Sequence, residues 1–215
     1  RAVQYFARFY AWYLLRNGNK DEAARWAGLK AHLGLARKHS LVIRLGKPME
    51  HLQAALKASL TSDPPAETIT TVARQIGYFG YLIYDTLVWA STIKFMKLDP
   101  RTSQRVARRA FQFWFAGIVF SIINGALKTA RLNKEERRIQ GSVPWGVPFP
   151  RSNINTPESA RTATRQQIII DMCDAWIPAT GSGILNINEG ALGILGLISS
   201  LLGAKAQWIA VNGKK

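Results

Sequence analysis

The 215-residue sequence predicts an all-α, membrane-associated helical protein with an N-terminal amphipathic helical region and about two to four hydrophobic membrane helices. Three observations carry this. Apolar residues recur at helical spacing and no strand alternation is evident, several uncharged runs approach bilayer length, and the basic excess is gathered in blocks. The net charge of +16 and pI near 10.5 imply an anionic partner, either nucleic acid or a membrane surface. The 47% hydrophobic content excludes a disordered basic tail, and the single Cys173 excludes an internal disulfide. Residues 1–60 hold eleven basic and three acidic side chains, residues 101–140 nine and two, and residues 61–100 only three and four.

The first helix is read from Val3, Phe6, Phe9, Tyr10, Tyr13 and Leu14, and Asn17-Gly18-Asn19 ends it. A second starts near Asp21 and Glu22, whose carboxylates suit the positive end of a helix dipole. In the third, Leu41, Leu45, Met49, Leu52 and Leu56 stack on one face, with Arg44, Lys47 and His51 on another flank and Arg37 and Lys38 before them. An apolar stripe beside cations fits a helix lying in a membrane interface, and it equally fits a helix packed on its own domain. Pro48 bends this element or divides it into two helices meeting near Gly46.

After Asp63-Pro64-Pro65, residues 68–96 read as one long apolar helix containing Asp85. An ionisable residue there is either part of a polar path or bonded to a neighbour near the interface. Asp99-Pro100 separates it from the next helix, whose residues 111–127 carry no charge and are bounded by Arg108, Arg109 and Lys128. Seventeen such residues reach the lower limit for a spanning helix, roughly 17. The short connection predicts an antiparallel pair. Residues 141–160 hold Pro144, Pro148, Pro150 and Pro157 and read as a loop. A helix over 164–176 follows, and then an apolar run over 190–204 in which Gly196 and Ser200, and Ser199 and Gly203, are each four apart. Small residues so spaced permit close helix packing, within a bundle or between copies. The organisation is therefore an amphipathic region (1–65), a hydrophobic hairpin (66–140), a proline-rich loop (141–160) and a C-terminal membrane region (161–215).

Enzymatic chemistry finds little footing: His32, His39 and His51 form no metal-ligand spacing, no cofactor motif is present, and Asp171 and Asp174 read as structural. Cys173 has no nearby activating base. Long uncharged runs flanked by cations argue against nucleic acid as the partner and for an anionic phospholipid membrane.

The opening Gln4-Tyr5-Phe6-Ala7-Arg8-Phe9, the block from Ala36 to Ala55 with Arg37-Lys38 and Arg44-Leu45-Gly46-Lys47, the segment Asp171-Met172-Cys173-Asp174, and the ending from Gly193 to Gly203 with Trp208 together resemble the peroxin-eleven family. The resemblance implies a helical protein of the peroxisomal membrane, with both termini toward the cytosol, that elongates the organelle before fission. It implies an amphipathic helix over residues 37–57, in which Arg37, Lys38, Arg44 and Lys47 meet headgroups while Leu41, Leu45, Leu52 and Leu56 insert. It also implies self-association and recruitment of the fission machinery. The alternative expectation is a pore for small metabolites, with Asp85 and Asn124 on a polar path. No cofactor or metal is expected.

Overall fold

The computed structural model describes residues 1–39, 46–61, 63–142 and 151–213, and the secondary structure it contains is helical. Helix α1 spans Ala2–Arg16 and α2 spans Lys20–His39. Between them Gly18 takes φ +81°, the left-handed region that glycine enters without a Cβ penalty. Asn19 starts α2 reciprocally: its Oδ1 accepts from the Glu22 amide at 3.3 Å while its Nδ2 donates to Glu22 Oε2 at 2.8 Å.

Helix α3 spans Lys47–Ser59 and α4 spans Pro65–Thr92. Of the amphipathic helix expected over residues 37–57, residues 40–45 lie outside the described residues, and the rest falls on two helices. Arg37 and Lys38 belong to the last turn of α2, and a new helix begins at Lys47 with Pro48 in its first turn. Proline lacks an N–H and its ring crowds the carbonyl four residues back, so it is tolerated at a helix start and breaks an interior.

Helix α5 spans Pro100–Ser142, and Asp99 Oδ2 accepts from the Arg101 amide at 3.1 Å to begin it. Its 43 residues extend ~64 Å, about twice a hydrocarbon core. Helices α6, Arg151–Gly181, and α7, Glu189–Asn212, complete the chain. Residues 151–160, read from sequence as loop, are helical. Pro157 does not stop α6, and Pro178 lies fully buried near its end.

The helices pack in an order unlike that of the chain: α2 on α1, α1 on α7, α7 on α6, α6 on α5, α5 on α4, and α4 on α3. The α4–α5 pairing is the most extensive, and it is close: a Cβ on Gly77 would meet the Gly117 Cα at 2.7 Å and one on Gly80 would meet the Phe113 ring. On α7, Gly193 lies against the Phe9 backbone and Gly196 against the Tyr5 ring, which seats α1. Arg1 reaches across this seam over the Tyr5 and Trp114 rings, at 5.6 and 6.0 Å. Helices α2 and α3 thus end the series with one extensive neighbour each.

Candidate membrane interface

Helix α3 turns small residues toward α4. Pro48 and Ala55 are buried, and His51 Nδ1, 2.6 Å from Gln75 Oε1, donates to that acceptor while its ring sits 5.6 Å from Tyr78. His51 near the start of α3 meets the third and fourth turns of α4, so the two helices run antiparallel. The opposite side of α3 carries Met49 (61% exposed), Leu52 (37%), Leu56 (61%) and, just past its end, Leu60 (86%). At 100° per residue these four fall within about 80° of arc, with Glu50 and Lys57 beside them. An outward apolar face of this width, on a helix with one extensive neighbour among the described residues, is the kind of feature that a lipid surface covers.

Of the residues expected from sequence to meet the membrane, Leu52 and Leu56 lie on this face and Lys47 is half-buried at its start. Leu41, Arg44 and Leu45 lie outside the described residues. Leu60 and the exposed Lys57 extend the surface and were not singled out, although Leu60 continues the spacing of Leu56 by four.

Among the described residues, α5 and α7 are the helices long and apolar enough to cross a bilayer. Helix α7 buries Gly193, Gly196 and Ser199 against α1 and α6 and turns Ile194, Ile198, Leu201 and Trp208 outward. Gly196 and Ser199 therefore serve packing within the chain. Ser200 donates to the Gly196 carbonyl at 2.6 Å, and a Cβ on Gly203 would meet nothing within 4 Å.

Inside the bundle a ladder of polar contacts joins helices that are distant in sequence. Arg131 grips the buried Glu67 through two bonds, 2.7 and 3.1 Å. Asn124 Nδ2 donates to the Glu67 carbonyl and to the Thr70 and Thr71 hydroxyls, each at 2.9 Å. Asp171 accepts from Ser121 at 2.6 Å and from Gln167 at 2.8 Å, and burial pushes its carboxyl above the ordinary range against those two bonds. Asp174 accepts from Arg1 at 2.8 Å and from Ser199. Asp171 and Asp174, read from sequence as structural, thus tie α6 to α5, α7 and α1. Asn124 and Asp85 do not come together: Asn124 meets α4 at Thr71, fourteen residues before Asp85, a separation of ~21 Å along the helix. No group of three His, Cys, Asp or Glu side chains able to hold a metal occurs among the described residues.

The model of the family described as Peroxisomal biogenesis factor 11 (PEX11) matches residues 1–208. Peroxisomal membrane protein PMP30A of Candida boidinii is 25% identical, over 99% of this chain and 88% of its own. Human Peroxisomal membrane protein 11B is 26% identical over 94% and 88%, and Peroxisomal biogenesis factor 11 of Schizosaccharomyces pombe 19% over 97% and 87%. No solved structure gives a significant match.

Proposed function

Since the chain belongs to the peroxisomal biogenesis factor 11 (PEX11) family, whose members are peroxisomal membrane proteins of peroxisome biogenesis, we propose that it remodels that membrane by laying the apolar face of α3 into the cytosolic leaflet. The observation that carries this reading is the outward row Met49, Leu52, Leu56 and Leu60 on a helix with one extensive neighbour. Burying such side chains contributes about 1.5–3 kcal/mol each when complete, and each cation near an anionic surface about 1 kcal/mol. That sum is large enough for α3 to exchange its place along α4 for a place in the interface.

Because α3 lies antiparallel beside α4, it reaches the interface plane by swinging about the connection between Leu60 and Pro65. A helix lying shallowly in one leaflet expands that leaflet relative to the other and curves it. Helices α5 and α7 hold the protein in the bilayer while self-association adds the wedges of several copies, and the elongated membrane then receives the fission machinery. The test is tubulation of anionic vesicles by the purified protein. The double variant Leu52→Glu, Leu56→Glu alters exposed positions only, so it is expected to stay folded and membrane-anchored while tubules disappear. Unchanged tubulation would remove α3 from the mechanism.

A further inference from the structure

A cavity of about 200 Å³ lies between α4, α5 and α6, away from the outward face of α3, and two of the side chains lining it are cationic. Arg74 of α4 and Lys128 of α5 line it, with Asn124, Gly125, Thr164 and Gln167 among its other walls. The Arg74 Nε is buried without a hydrogen-bond partner. Among the described residues no ion pair uses Arg74 or Lys128. The Asp171 carboxylate feels the charge of Arg74, but Ser121 occupies its Oδ2 and Gln167 its Oδ1. Asn124 spends its amide donors on α4 and faces the cavity without a competing charge.

Two cations therefore converge on a partly enclosed space beside a carboxylate that is already engaged, and a guanidinium nitrogen taken out of water without a partner calls for an acceptor. We infer that this cavity binds a phosphate group, with Arg74 supplying donors in a planar fork and Lys128 a second positive charge. A guanidinium matches the geometry of two phosphate oxygens, and an ammonium adds attraction without directional demand. The volume corresponds to roughly six or seven waters at ~30 Å³ each, enough for a phosphate and a few waters and too little for a nucleotide. Lys128 immediately follows the uncharged residues 111–127, so the site sits at one end of a spanning segment, the depth at which phospholipid phosphates lie. The phosphate belongs to a phospholipid headgroup entering between the helices or to free phosphate entering from water.

The full chain, purified in a neutral detergent, is titrated with inorganic phosphate against chloride at matched ionic strength, and separately with short-chain phosphatidate against short-chain phosphatidylcholine in mixed micelles. Saturable binding of phosphatidate alone identifies the lipid source, and saturable binding of inorganic phosphate identifies the free ion. In either case Lys128→Gln, at an exposed position, and Thr164→Leu, which fills the cavity without removing charge, are expected to weaken binding at least tenfold with helicity by circular dichroism unchanged. The inference is overturned when neither ligand saturates, or when both variants keep the wild-type affinity.

Discussion

Gly77 of α4 and Gly117 of α5 meet backbone to backbone, so close that a Cβ on Gly77 would stand 2.7 Å from the Gly117 Cα. No flexible side chain can move aside there. Gly77→Ala is expected to push α4 and α5 apart at a cost of about 1–3 kcal/mol, as overpacking does. At roughly 2–4 °C per kcal/mol for a chain of this size, the melting midpoint of the detergent-solubilised protein falls by several degrees. Gly203→Ala, with nothing within 4 Å of the added carbon, serves as the control that carries the gain in helix propensity without the clash.

The Glu67–Arg131 pair joins the same two helices by a different principle. Glu67 is 5% exposed, so its carboxylate depends on Arg131 for compensation, while Arg131 keeps partial contact with water. Arg131→Gln leaves a buried charge half-solvated and is expected to destabilise by more than the 1–3 kcal/mol typical of an unsatisfied neutral group. Glu67→Gln on that background recovers part of the loss. A double-mutant cycle of thermal unfolding measures the coupling, and additive losses would show that the pair contributes nothing of its own.

Much of the helical pattern was legible in the sequence. Asn17-Gly18, Pro64-Pro65 and Asp99-Pro100 carry turn and capping chemistry within a few residues, and the boundaries fall at them. The apolar row through Leu52 and Leu56 was equally visible, because helical periodicity is local. The start of a separate helix at Lys47 was one of the two outcomes Pro48 offered, and the continuous leucine spacing did not choose between them. The density of proline over residues 144–157 hid the start of α6 at Arg151. Packing order was not legible: nothing near Arg1 announces Asp174, and nothing near Phe9 announces Gly193. Those partners are set by the way the described helices close on one another, and no spacing rule spans such separations.

His51 holds α3 to α4 through its bond to Gln75. His51→Ala removes that bond, worth about 0.5–1.5 kcal/mol net, and so eases the release of α3. The expected result is tubulation of anionic vesicles at a protein-to-lipid ratio lower by roughly two- to tenfold, the factor those energies permit. A variant that requires more protein than wild type would mean that α3 works from its place along α4.

Glu189 draws α1 and α2 onto the start of α7, accepting from Arg8 at 2.6 and 2.7 Å and from Lys30 at 2.9 Å. The carboxylate is half exposed, so Glu189→Gln is expected to cost less than about 1 kcal/mol, and the loss shrinks further in high salt. Amide hydrogen exchange in α1 and α2, compared at low and high ionic strength, reads it. A large loss independent of salt would contradict the assignment of a screened surface network.

The central claim, that α3 gives its outward face to lipid, is tested most directly by nitroxide labels placed singly at Met49, Leu52, Ala55, Leu56 and Leu60 of the protein bound to anionic vesicles. Power saturation with oxygen and with a water-soluble nickel chelate reads the depth of each label. The account predicts that labels at 49, 52, 56 and 60 favour oxygen and are shielded from nickel, with the label at 55 turned toward the headgroups, and that the pattern is lost in vesicles of neutral lipid. Nickel-accessible labels at 52, 56 and 60 on anionic vesicles that the protein has tubulated would contradict it.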